Sequence, residues 1–136
     1  MNILFYLLPK NKVDFLYNDF TIRQTLEKMK GKRYSMLPII DRESGKYVRS
    51  IMEGDILYYL TVNRLSFEEL EKRNLSDIPS SRVIKAVGVT CQVQALYDTI
   101  YEQNFVPVID DEGIFIGIVT RRQVMIDLIQ AKTEAK

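Results

Sequence analysis

Apolar positions along this chain fall into short runs and helical stripes, and both kinds recur in the same order. Leu37 to Asp41 and Tyr47 to Met52 read as two strands joined by a tight turn holding Asp and Gly. Val106 to Asp110 and Ile114 to Val119 read the same way further along. Ahead of the first pair, Ile22, Leu26 and Met29 keep helical spacing to about Lys32, with Thr21 as N-cap and Gln24 three residues on. Ahead of the second, Val93, Leu96 and Ile100 mark a helix ending near Asn104. Short extended segments, Lys12 to Tyr17 and Arg82 to Val89, precede these helices. Closing helices are predicted from about Gly54 to Asn63 and from Arg121 to about Lys132. The order is β-α-β-β-α, twice.

The sequence itself repeats. Pro38 matches Pro107, Ile40 matches Ile109 and Asp41 matches Asp110. After a one-residue insertion at the turn, Gly45 matches Gly113 and Ile56 matches Val124. The expected division is a first repeat over residues 1–64, a linker over 65–81 and a second repeat over 82–136. Ser66 with Glu69 predicts a short capped helix in the linker, and Pro79-Ser80-Ser81 a loop. One repeat alone buries too little to be stable, so the two should pack as a pseudo-two-fold pair. The fold class is α/β (α+β).

Composition narrows the chemistry. The chain has 136 residues, 46% of them hydrophobic and 27% charged, the profile of an ordinary globular protein. Nineteen Lys and Arg against 18 Asp and Glu leave a net charge of +1, without the basic excess of a nucleic-acid binder. No histidine is present, which removes His general bases, catalytic triads and His-ligated metals. A single cysteine, Cys91, excludes intrachain disulfides and four-cysteine zinc sites, and no basic neighbour in sequence activates it. The apolar run Met1 to Leu8 is far shorter than the roughly 20 residues a membrane span needs. It reads as a strap packed on its own domain, with no membrane role and a cytoplasmic location. No phosphate-cradling Gly-rich loop is present, and no acid–base pair can be assembled, so no enzymatic activity is expected.

The stretch Gly117-Ile118-Val119-Thr120-Arg121-Arg122-Gln123, with its counterpart Arg49 to Asp55, resembles the Gly-apolar-apolar-Thr/Ser-x-x-Asp element of CBS-domain pairs (Bateman modules). The resemblance covers nearly the whole chain. It is closer still to small stand-alone CBS-pair proteins of Gram-positive bacteria, some of which sense cyclic di-AMP or other adenine nucleotides. In those proteins, the resemblance implies, a Lys-Val pair opens the first strand, a Tyr-Ser/Thr-small segment precedes the strand proline, and Thr-Arg-Arg opens the last helix. Lys12-Val13, Tyr34-Ser35-Met36 before Pro38, and Thr120-Arg121-Arg122 occupy those positions. Two departures stand out: the motif's ribose-binding Asp is present as Asp55 but is Gln123 in the second repeat, and its Thr is present as Thr120 but is Met52 in the first.

The residues carry readings of their own. Thr120 with Gln123 is a capping box that needs no ligand. Arg121 and Arg122 sit where a helix start, positively polarised, prefers acids. They fit a bound phosphate, or else are solvated or paired to a neighbouring subunit. The matching turn, Glu53-Gly54-Asp55, is acidic. One phosphate-accepting site per chain is therefore expected, with Lys12, Val13, Asp14, Tyr34, Ser35, Met36, Pro38, Thr120, Arg121 and Arg122 as its residues. Lys12 alone could be solubilising and Tyr34 alone could be core. Asp55, with Phe105 and Val106, marks a possible second site; Asp55 is equally an acid stabilised at a helix start. Without ligand, replacing Arg121 or Arg122 should leave stability unchanged or slightly improved.

The function expected is a non-catalytic sensor that binds an adenine nucleotide (AMP, ATP or cyclic di-AMP) in the cleft between the repeats and signals to a partner protein. The nucleotide acts as a regulatory ligand, with no cofactor and no metal. Tyr58, Tyr59, Leu60, Tyr97 and Tyr101, on predicted helices, point to a homodimer. The alternative is a structural dimerisation protein with vestigial sites, which the incomplete motifs favour.

Overall fold

The computed structural model describes residues 2–32 and 34–135. They form two compact units, one of residues 14–83 and the other of residues 1–13 with 84–136.

In the continuous unit, β2 (Leu16–Tyr17) lies parallel to β3 (Met36–Ile40), which pairs antiparallel with β4 (Tyr47–Met52). Helices α1 (Ile22–Lys32) and α2 (Glu53–Val62) complete it, with 3-10 turns at Phe67–Glu71 and Leu75–Asp77. Its core joins Leu16, Ile22, Leu37, Ile39, Ile51 and Ile56 to Leu75 and Ile78. The discontinuous unit holds a 3-10 turn at Ile3–Tyr6, β1 (Leu8–Pro9), a 3-10 turn at Lys10–Lys12, β5 (Val87–Gly88), α3 (Val93–Glu102), β6 (Phe105–Ile109), β7 (Phe115–Thr120) and α4 (Arg121–Glu134). Its sheet runs β1-β7-β6-β5.

The repeat extends to irregularities. Each hairpin shifts register at the same place, between Ile39 and Ile40 and between Val108 and Ile109. Each turns on a left-handed glycine, Gly45 at φ 76° and Gly113 at φ 84°. Pro38 and Pro107 withhold an N–H on the middle strand, just before the short parallel partner begins to pair at Ile39 and Val108.

Local signals translate well. Thr21 Oγ1 accepts from Gln24 N at 3.1 Å while Gln24 Oε1 accepts from Thr21 N at 2.9 Å, and Ser66 with Glu69 forms the same box, over a 3-10 rather than an α-helical turn. The leading extended segments are shorter than expected: Lys12 ends a 3-10 turn, and only Leu16–Tyr17 and Val87–Gly88 form strands. The N-terminal strap packs on the second repeat, where Ile3 and Tyr6 are buried with Leu96, Ile100, Val106 and Val119. The Tyr6 hydroxyl donates to Asp127 at 2.8 Å and lies 3.1 Å from the Tyr97 hydroxyl.

Candidate functional site

The two helix starts that follow the hairpins are built differently. At α4, Thr120 Oγ1 accepts from Gln123 N at 3.1 Å, so the cap forms as its sequence suggests. Arg121 turns back: Nε donates to Ile100 O at 3.0 Å and Nη2 to Tyr101 O at 3.3 Å, in the last turn of α3. Those carbonyls have no partner within their own helix, and the guanidinium also meets the negative end of its dipole. Arg121 therefore has a structural task, and the expectation that its loss would leave stability untouched is corrected. Arg122 stays exposed on the first turn. A cavity of about 200 Å³ lies at the same helix start, lined by the strap residues Phe5 to Leu8 with Thr120 and Gln123. Lys12, at the end of its 3-10 turn, lies in the segment packed along β7.

At α2 the polar groups are consumed internally. Asp55 is only 7% exposed. Its Oδ1 accepts from Ser81 Oγ at 2.7 Å and Ser81 N at 3.2 Å, and its Oδ2 from Met52 N at 3.4 Å. Nearby, Arg49 donates to the Ser80 hydroxyl and to Leu75 O, and burial pulls its pKa down. The segment after Ile78 is thus tied to both β4 and α2.

The same unit holds Asp14, Tyr34, Ser35, Met36 and Pro38. The Tyr34 hydroxyl donates to Asp14, whose carboxylate also faces Lys28 Nζ at 3.5 Å and Lys32 Nζ at 3.3 Å. That Tyr34 bond, followed by Lys32, holds the Asp14 carboxyl below the usual range, and burial raises the Tyr34 phenol. Ser35 O accepts from Glu53 N at 2.9 Å, which joins the segment before β3 to the start of α2. Met36 and Pro38 lie on β3 opposite Met52 and Ser50.

The expected site residues are therefore divided: Lys12, Val13, Thr120, Arg121 and Arg122 belong to one unit, and Asp14, Tyr34, Ser35, Met36 and Pro38 to the other. Within a unit, the structure joins Asp14 to Tyr34, while Thr120 and Arg122 share only the start of α4. Phe105 and Val106 are buried in β6, opposite Thr120 and Val119, and serve as core. Burial raises the Cys91 thiol, in keeping with an inert cysteine. Among the described residues, no group of acidic or thiol side chains is placed to hold a metal, and no helix is long and apolar enough to cross a membrane.

Ser80 and Ser81 were missed as binding partners, although a signal exists. Leu8-Pro9 and Lys12-Val13 match Ile78-Pro79 and Arg82-Val83. Each lead-in segment folds with the other repeat's sheet, which is why the unit boundaries fall at 13/14 and 83/84.

Residues 8–62 and 75–129 each match the family model of the CBS domain. The chain belongs to the CBS-domain family. The CBS pair is similar to CbpB in complex with c-di-AMP, at 23% identity and a TM-score of 0.86, over 100% of this chain and 91% of that one. It is also similar to Listeria monocytogenes CbpB in complex with c-di-AMP, at 22% identity and a TM-score of 0.83, over 98% of each chain. CBSX2 in complex with AMP follows at 22% identity and a TM-score of 0.73, over 96% of this chain and 98% of that one. No curated protein sequence matches the CBS pair.

Proposed function

We propose that this CBS pair is a cytoplasmic, homodimeric regulatory module that binds an adenine nucleotide (AMP, ATP or cyclic di-AMP), performs no chemistry on it and passes its occupancy to a partner protein. The start of α4 carries the reading: an exposed Arg122 on its first turn, with Thr120 and Gln123 lining an open cavity, at a helix end already polarised positively. A phosphate there is met by the Thr120 hydroxyl and the Arg122 guanidinium together. Lys12, Val13, Asp14, Tyr34, Ser35, Met36 and Pro38 supply the remaining contacts. Lys28 and Lys32, held at Asp14, make that second cluster cationic as well. The c-di-AMP and AMP complexes of CbpB and CBSX2 support the ligand class. Occupancy then acts by shifting populations between states of the module.

Calorimetry with AMP, ATP and cyclic di-AMP tests the reading. A ligand at about 100 times its Kd adds about 2.7 kcal/mol of stability, and Arg122→Ala should weaken binding roughly 10- to 150-fold, the worth of a charge-assisted hydrogen bond. Failure of all three nucleotides to bind, or binding that survives Arg122→Ala intact, rejects it. A purely structural dimerisation protein is the second reading. It is favoured by Arg121 and Asp55, two motif positions that the fold occupies with its own groups.

A further inference from the structure

Arg49 occupies on β4 the place that Gly117 occupies on β7. At Gly117 the lead-in strand lies against the sheet, with Pro9 opposite Gly117 and Leu8 opposite Ile118, and a Cβ there would collide with Leu8 O. The matching lead-in, Ile78-Pro79, is irregular, and β4 ends the order β2-β3-β4. An arginine side chain stands in place of a close backbone approach.

That guanidinium is half-buried, and burial lowers its pKa. A cation removed from water is ordinarily paired with an acid. Here both of its acceptors are neutral: Leu75 O, 3.2 Å from Nη2, and the Ser80 hydroxyl at Nη1. Asp55 attracts it without bonding to it, because the carboxylate is taken by Ser81 and the Met52 N–H. Adjacent serines therefore face opposite charges, Ser80 a guanidinium and Ser81 a carboxylate. Both belong to the exposed run of residues 79–83, the last of the continuous unit. An exposed, irregular segment of this kind is open to a modifying enzyme.

We propose that Ser80 is a phosphorylation site whose phosphoryl group completes an ion pair with Arg49. A protein kinase transfers the γ-phosphoryl group of a nucleoside triphosphate. The Ser80 Oγ–P bond forms, the bond from that phosphorus to its bridging oxygen breaks, the nucleoside diphosphate leaves, and the hydroxyl proton passes to solvent. The product carries a charge of about −1.5 to −2 at pH 7 and three acceptor oxygens. The planar fork of a guanidinium suits two of them. The same group on Ser81 gives up the hydroxyl that Asp55 accepts and sets two anions together. One modification fastens residues 79–83 to β4, and the other prises them from α2. Neither involves the start of α4, so the proposal stands apart from the nucleotide reading.

Phosphoserine incorporated during translation at Ser80 or at Ser81 provides the test, read by thermal melting of the full chain. At Ser80 it should raise Tm by about 3–6 °C, with no rise in an Arg49→Met background, and at Ser81 it should lower Tm. No rise at Ser80, a rise that survives Arg49→Met, or no fall at Ser81 overturns the pairing. Should Arg49→Met fail to fold, phosphorus NMR replaces it. The phosphate at Ser80 should then lose its second proton below the ordinary value of about 6, and that at Ser81 above it; the reverse order, or no difference, overturns the pairing. Phosphopeptide mapping of the chain isolated from its own cells, in growth and in starvation, should find phosphate on Ser80. Its absence there, or its presence on Ser81 alone, overturns the site.

Discussion

Two helices that begin at equivalent points of one repeat have been put to opposite uses. At α2, a buried carboxylate satisfies the first turn and holds the hydroxyl and N–H of Ser81. At α4, Gln123 stands where that carboxylate would be, Arg121 reaches the end of α3, and Arg122 is exposed on a first turn whose Thr120 and Gln123 line a cavity. One start is closed by its own unit and contributes stability; the other keeps an exposed cation on its first turn and is the anion site proposed above. Duplication provided two similar corners, and the polar residues at four or five positions decided which became a joint and which stayed open.

The sharpest way to break this comparison is to remove the equivalent side chains in turn. Asp55→Ala strands the Ser81 donors and the helix start together and should cost about 2–3 kcal/mol, with nucleotide affinity little changed. Gln123→Ala, exposed and uncharged, should cost under about 0.5 kcal/mol. Chemical denaturation of both variants decides the matter, and equal costs would mean that the two corners do not differ.

Next in size is the contrast between adjacent arginines. Arg121→Met removes two hydrogen bonds from the last turn of α3 and should lose about 1 kcal/mol. Arg122→Ala, which only relieves a cation at a positive helix end, should hold or gain a few tenths of a kcal/mol in the absence of nucleotide. Thermal melts of the two variants separate them; an equal loss in both would erase the distinction drawn between a capping and an available arginine.

The smallest effect belongs to Asp14. Its folded pKa lies below the ordinary value of about 3.9, so the stability it contributes is present above that value and is lost as pH falls through the folded pKa. Because the group is partly solvated, the gain is under about 1 kcal/mol. Melting temperature followed from about pH 5 to pH 2 should fall more steeply in the wild type than in Asp14→Asn, and Tyr34→Phe should lie between them. Parallel curves would remove Asp14 from the account.

Much of this was legible in the sequence, for identifiable reasons. Caps such as Thr21 with Gln24 join residues three apart, and the hairpins announce themselves by apolar runs about a left-handed glycine. The strands Leu16–Tyr17 and Val87–Gly88 did not, because two residues carry no periodicity and exist only by pairing with β3 and β6. The task of Arg121 was hidden for another reason. Its acceptors are backbone carbonyls some twenty residues away, which no side-chain pattern encodes. Asp55 announced an acid at a helix start, and so it is. Its second partner comes from a loop whose likeness to Leu8–Val13 is a few letters long.

The exchange of lead-in segments has a consequence for synthesis. Residues 14–83 leave the ribosome as one continuous stretch that contains every element of their unit. Residues 1–13 emerge before them, carrying Ile3, Tyr6 and Leu8, yet the sheet and helices they complete lie after residue 83 and are made later. An apolar strap therefore waits in the nascent chain while residues 14–83 are made. That segment is made before the first unit and can pack only after it.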